Sequence, residues 1–176
     1  MRNTLLKQVL SPFWSICMLQ KGPQDLPASG LLLAIVILLG IVLNLVNLRI
    51  VVPGTELPTL VTLVIVYALT FVSSLSVLMW LMHYQQRIIQ TLTALFGTGI
   101  IISLCVLPFQ LMVKNTPDEP SIFSIFILAL IVWSLVVTAH ILRNALSSDL
   151  LIAWALTLGY LLLNVIFTNY FIPHGI

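Results

Sequence analysis

Two uncharged segments only five residues apart limit what this chain can become. Val61 to Met82 carries no charge, His83-Tyr84-Gln85-Gln86-Arg87 follows, and Ile88 to Val113 is again uncharged as far as Lys114. A helix needs ~20 apolar residues to cross the hydrocarbon core of a bilayer, so each segment is long enough to span. So short a break makes the two antiparallel neighbours. In water such a pair would need a charged outer surface. Only 7% of the 176 residues are charged and 60% are hydrophobic, whereas soluble domains carry roughly a quarter charged residues. The mean hydropathy of +1.16 agrees. The expected fold class is an all-α polytopic membrane protein.

Reading outward from that pair gives five spans, at about 28–48, 58–82, 88–113, 121–142 and 150–171, forming one transmembrane domain over 28–176. Asn44 and Asn47 share a face of the first span, and their amides are expected to point into the bundle or towards the interface. Tyr67, Thr70 and Ser74 make a small polar stripe on the second, suited to close helix contact. Ala94, Gly97, Thr98 and Gly99 on the third offer a place where another helix can approach, and Pro108 is expected to bend its far end. Trp80, Tyr84 and Tyr170 are positioned for the membrane–water boundary.

Residues 1–27 read differently. Ser11-Pro12 has the form of a helix start, with Ser as N-cap and Pro at the first position, and Gly22-Pro23 has the form of an end. The segment from Arg2 to Lys21 is too short and too polar to span. It is expected as an amphipathic interfacial helix, held by Phe13 and Trp14, with Arg2, Lys7 and Lys21 near lipid phosphates; a frayed tail is the alternative. Gly22-Pro23-Gln24-Asp25-Leu26-Pro27 is a rigid connector, because its prolines forbid a continuous helix. Lys7, Gln8, Ser11 and Pro12 interrupt the apolar run and no small-residue cleavage site follows, so a cleaved signal peptide is not expected. Cys17 and Cys105 read as two packed, reduced thiols separated by a good part of the membrane.

Orientation follows from the basic residues. Arg2, Lys7, Lys21, Arg87 and Arg143 fall on one side, Arg49 and Lys114 on the other, which accounts for all seven. Basic residues in short loops favour the cytoplasm. The expected topology in a cell inner membrane therefore has a cytoplasmic N-terminus, a periplasmic C-terminus and an outer polar loop from Lys114 to Pro120.

No acid or base lies deep in any span, which argues against a proton or ion relay and leaves a neutral or lipidic substrate open. Ser73-Ser74 has no GxSxG context. A net charge of +2 with no basic run points away from nucleic-acid partners. No cofactor or metal motif is present, and an enzyme is not expected. The polar groups that remain gather at the cytoplasmic end: His83, Arg87, His140 and Arg143, with Tyr84, Asp25 and Asp149. Metal or catalytic use of His83, His140 and Asp149 competes with plainer roles as anchors and helix C-terminal partners. A docking or headgroup site at His83, Arg87, His140 and Arg143 is the candidate. Each Arg follows a His by four or three residues, sharing a helical face if the helix continues, and guanidinium grips phosphate or carboxylate bidentately.

Five spans, a cytoplasmic N-terminal segment, short loops and little chain after the last span resemble the Yip1-type membrane domain. The connector Gly22 to Pro27 and the stretch His140-Ile141-Leu142-Arg143-Asn144-Ala145-Leu146 resemble segments of small proteobacterial inner-membrane proteins of that type. The resemblance implies a non-enzymatic integral membrane protein, acting as a membrane scaffold or accessory subunit of a membrane complex. Beside the lipid bilayer, its partner would be another membrane protein or a second copy. The small-GTPase partner of eukaryotic members does not carry over, because this chain lacks their long acidic N-terminal region. The alternative is a small transporter or lipid-handling protein. An open polar cavity lined by Tyr67, Ser74, Thr98, Ser134 and Asn164 would favour that alternative; a tight, dry bundle would favour the scaffold.

Overall fold

The computed structural model describes residues 2–115 and 122–171. Six helices follow one another: α1 (Arg2–Cys17), α2 (Gly30–Val51), α3 (Leu57–Leu81), α4 (Ile88–Asn115), α5 (Ile122–Leu146) and α6 (Leu150–Phe171), with single 3-10 turns at Pro23–Asp25 and Gln85–Arg87. Helix α4 takes in Lys114 and Asn115, the start of the loop expected from Lys114 to Pro120; the rest of that loop and the stub at 172–176 lie outside the described residues, as do the side chains of Arg2, Lys7, Lys114, Asn164 and Tyr170.

Helices α2 to α5 are each long and apolar enough to cross a membrane, and α6 adds a shorter apolar stretch, Leu150–Leu163. Four spans rather than five are thus defined by length and composition among the described residues. Burial agrees with a lipid surround. Leu31 is 75% exposed and Leu151 83% exposed, an arrangement that water would penalise heavily. The chain is a multi-span helical membrane protein.

Helix α4 is the centre of the bundle, packed against α2, α5, α1 and α3, while α6 leans on α5. Its composition explains the position. From Thr91 to Thr98 only Phe96 is not fully buried, and four of those eight side chains are Thr or Gly. Small residues let neighbouring backbones come close, which matters where lipid removes the usual hydrophobic drive and dispersion between packed surfaces must hold helices together. The buried hydroxyls need acceptors. Thr91 donates to Arg87 O at 2.8 Å, Thr93 to Ile89 O at 2.7 Å and Thr98 to Ala94 O at 2.8 Å. Each is satisfied on its own helix and asks nothing of its neighbours.

The N-terminal segment departs from expectation in two ways. A helix forms from Arg2, as expected for the segment Arg2 to Lys21, but it ends at Cys17, and Ser11-Pro12 is not a helix start because Pro12 lies inside it. Nor does Phe13 anchor it to lipid. Phe13, Ile16 and Cys17 are buried in the protein core, while Trp14 stays half exposed. The Phe13 ring lies so close to Gly97 of α4 that a Cβ built there would collide with the ring edge. On the α5 side, the Trp133 indole N–H donates to Cys17 O at 3.1 Å. The last turns of α1 are therefore wedged between α4 and α5. The wedge wins over the surface because it satisfies the carbonyls at the end of α1 while Phe13 fills the notch left by a glycine. Both cysteines are free. Burial raises the Cys17 thiol to about 11, and Cys105 adds to that shift.

Other boundaries moved less. Helix α2 continues past Arg49 to Val51, and Arg49 folds back to donate to Pro53 O and Thr55 O at 2.8 and 2.7 Å. Helix α5 runs to Leu146 rather than ending at Leu142, which shortens the turn before α6 to Ser147–Asp149.

Candidate functional site

Two regions carry the polar groups: the end of the bundle where α3, α5 and the connector meet, and the gap between α3 and α6.

At the first, three helices finish the same way without glycine. Leu19, His83 and Ser147 have φ of 60°, 63° and 47°. Each is followed by a backbone bond that closes the last turn: Gln20 N to Ser15 O at 2.9 Å, Tyr84 N to Met79 O at 2.8 Å and Ser148 N to Arg143 O at 3.2 Å. These are Schellman-type ends with an ordinary residue in the left-handed conformation. One consequence concerns the candidate residues. Helix α3 stops at Leu81, so His83 and Arg87 do not share a helical face, as they would have done had the helix continued.

Arg87 turns across to α5. Its Nη1 donates to Asn144 O at 3.4 Å, Ala145 O at 3.2 Å and Ser147 Oγ at 3.1 Å, and its guanidinium lies 5.6 Å from the Tyr84 ring centre. A cation among the last carbonyls of a helix is favoured by the helix dipole. His140 is half-buried. Its Nε2 meets Lys21 O at 3.0 Å, and Asn144 Nδ2 approaches the same ring nitrogen at 3.2 Å. Gln90 Nε2 donates to Leu26 O at 2.7 Å. Arg87, His140, Gln90 and Trp133 thus stitch the connector and α5 to the bundle. Arg143 and His83 are exposed. The fold brings Arg87 to the end of α5, beside Arg143 in sequence, but commits Arg87 and His140 to backbone partners. Among the described residues, no three His, Cys, Asp or Glu side chains converge as metal ligands would.

The second region is a pair of adjoining cavities. The larger, of about 300 Å³, is walled by Phe71, Leu75 and Leu78 of α3, Leu142 of α5 and Leu156 and Gly159 of α6, with Ser74 and Thr138 at its edge. The smaller, of about 200 Å³, is bounded by Gly40 and Asn44 of α2, Tyr67 of α3, and Gly99 and Ser103 of α4. Phe71, Leu95, Thr138 and Tyr160 belong to both walls. The Tyr67 and Tyr160 hydroxyls hydrogen-bond each other across the gap. Phe71 packs against Tyr160 with ring centres 4.8 Å apart, and against Phe96 edge-on at 5.5 Å.

Helix α3 packs mainly on α2 and α6 mainly on α5, and the two tyrosine rings bridge the gap between them. The stripe of Tyr67, Thr70 and Ser74 therefore does not make the tight contact expected of it; Tyr67 and Ser74 border cavities and Thr70 is exposed. Of the residues expected to line one continuous polar cavity, Tyr67 borders the smaller cavity and Ser74 the larger, mainly apolar one. Thr98 is buried against its own helix, Ser134 donates to Ile131 O at 2.7 Å, and the side chain of Asn164 lies outside the described residues. Asn44, Ser103, Thr138 and Tyr160 take the missing places. Asn44 was visible as a polar residue in a span, but nothing in the sequence paired it with α6. No family model, curated protein or solved structure matches the chain.

Proposed function

We propose that this chain is a non-enzymatic membrane protein that takes the apolar chain of a lipidic molecule into the cleft between α3 and α6. The observation that carries the reading is the larger cavity. Its volume reaches the lower end of the range for small-molecule sites, its wall is mainly Leu and Phe, and it lies among helices that face lipid. A dry, tightly packed bundle would have favoured a scaffold or accessory subunit, the role implied by the resemblance to Yip1-type domains; the open cleft ranks lipid handling first. In this reading α6 is the fifth crossing of an inner membrane. The N-terminus is cytoplasmic, with Lys21, Arg87 and Arg143 at that end and Arg49 at the other.

Gly159 provides the test. A Cβ added there meets nothing within 4 Å, so Gly159→Leu should fill the cleft without disturbing packing. A photoreactive fatty-acyl probe in nanodiscs should label Leu78 and Leu156 several-fold more than the lipid-facing Leu31 and Leu128. Gly159→Leu should erase that excess. Equal labelling at all four positions in the parent protein would overturn the proposal.

A further inference from the structure

The paired cavities differ in chemistry, and the difference selects a ligand. We infer that the cleft prefers an uncharged single-chain amphiphile, with a hydroxyl or ester head, over a charged phospholipid or fatty acid. This rests on the lipid-handling reading above and names the ligand class for the same site.

The larger cavity offers Leu and Phe surface to an acyl chain. The smaller offers neutral hydrogen-bonding groups: the Tyr67–Tyr160 hydroxyl pair, Asn44 and Ser103. Asn44 donates its amide N–H to Gly40 O at 2.9 Å, which leaves its side-chain oxygen as an acceptor. The two cavities meet at Phe71 and Tyr160, so one molecule bent past those rings touches both.

Depth makes charge the discriminating property. Tyr67 lies ten residues into α3 from Leu57, and Tyr160 ten residues into α6 from Leu150. At 1.5 Å per residue that is about 15 Å from either helix start, near the middle of a ~30 Å hydrocarbon core. Among the described residues, no charged side chain lines either cavity. A phosphate or carboxylate carried to that depth would lose its water and find no cation, which is far costlier than burying a hydroxyl that meets another hydroxyl. The volume adds a second limit, because about 300 Å³ suits one chain better than two.

Native mass spectrometry of the full chain with a monoacylglycerol, a fatty acid and a phosphatidylglycerol of matched chain length tests this. The parent should retain the monoacylglycerol at least tenfold more than either charged lipid. Tyr67→Phe with Tyr160→Phe should reduce that preference to within about threefold while keeping the apolar cleft, and Gly159→Leu should remove binding altogether. Equal retention of all three lipids by the parent, still sensitive to Gly159→Leu, would overturn the headgroup inference and leave the lipid-handling reading standing. Retention insensitive to Gly159→Leu would overturn both. A preference unchanged in the double phenylalanine variant would overturn the role given to the tyrosine pair.

Discussion

The wedge of α1 and the cleft beside α3 both use glycine, and they use it oppositely. At Gly97 the missing side chain is replaced by the Phe13 ring, and at Gly40 Phe96 comes within 3.2 Å of where a Cβ would stand. At Gly99 and Gly159 nothing lies within 4 Å, and both border a cavity. The first two glycines are receptors for aromatic knobs. The second two leave space. Gly97 and Gly99 sit two residues apart on one helix, so opposite uses occur within a single turn. Close packing in a membrane depends on what the neighbouring helix presents, because lipid solvates an apolar surface as well as protein does.

The largest test of this contrast is at Gly97. Gly97→Leu should destabilise the bundle by about 1–3 kcal/mol, the usual cost of forcing bulk into a filled site. Measured by unfolding in mixed micelles, Phe13→Ala in the same chain should recover more than half of that loss, since the two side chains would then trade places. If the double variant is as unstable as the sum of the single ones, Phe13 and Gly97 do not form a unit.

A smaller effect is expected at Arg87. Arg87→Lys keeps the charge but gives up the longer guanidinium, whose Nη1 lies among three acceptors at the end of α5. A net loss of about 1 kcal/mol should appear as roughly fivefold faster hydrogen exchange in the last turn of α5. Arg143→Lys, at an exposed position of the same turn, should leave exchange unchanged. Unchanged exchange in Arg87→Lys would mean that Arg87 acts by charge alone.

The smallest expected effect completes the comparison. Gly159→Leu should change stability by less than about 0.5 kcal/mol, as substitutions that meet no neighbour generally do. A loss comparable to that of Gly97→Leu would show that the cleft closes in the membrane and that the two classes of glycine are one.

Much of this was legible beforehand. Four of the five expected spans were readable because an uncharged run of 20 residues has few alternatives. The turn at His83 to Arg87 was readable because polar residues interrupt that run. Basic residues marked the same end of the bundle that the fold gathers around Lys21, Arg87 and Arg143. Errors arose where a local signal competed with a distant partner. Ser11-Pro12 looks like a helix start, yet α1 passes through it and its end is held by Trp133 and His140, more than a hundred residues away. His83 and Arg87 have helical spacing, but a left-handed His83 breaks the face they would share. Tyr67 was seen without Tyr160, because residues on α3 and α6 share no period in the sequence.

What the sequence by itself determined is the solvent. Scarce charge and long apolar runs commit these helices to lipid, and the polar breaks between the runs mark roughly where the chain turns. Only the tertiary structure decided which polar and small residues meet. A side chain's helical address sets its direction but not the surface it faces, and that surface depends on how α1, α2, α3 and α5 settle against α4. Phe13 therefore became core rather than anchor, Arg87 became a cap for α5, and Tyr67 and Tyr160 became one hydrogen-bonded pair beside an open cleft.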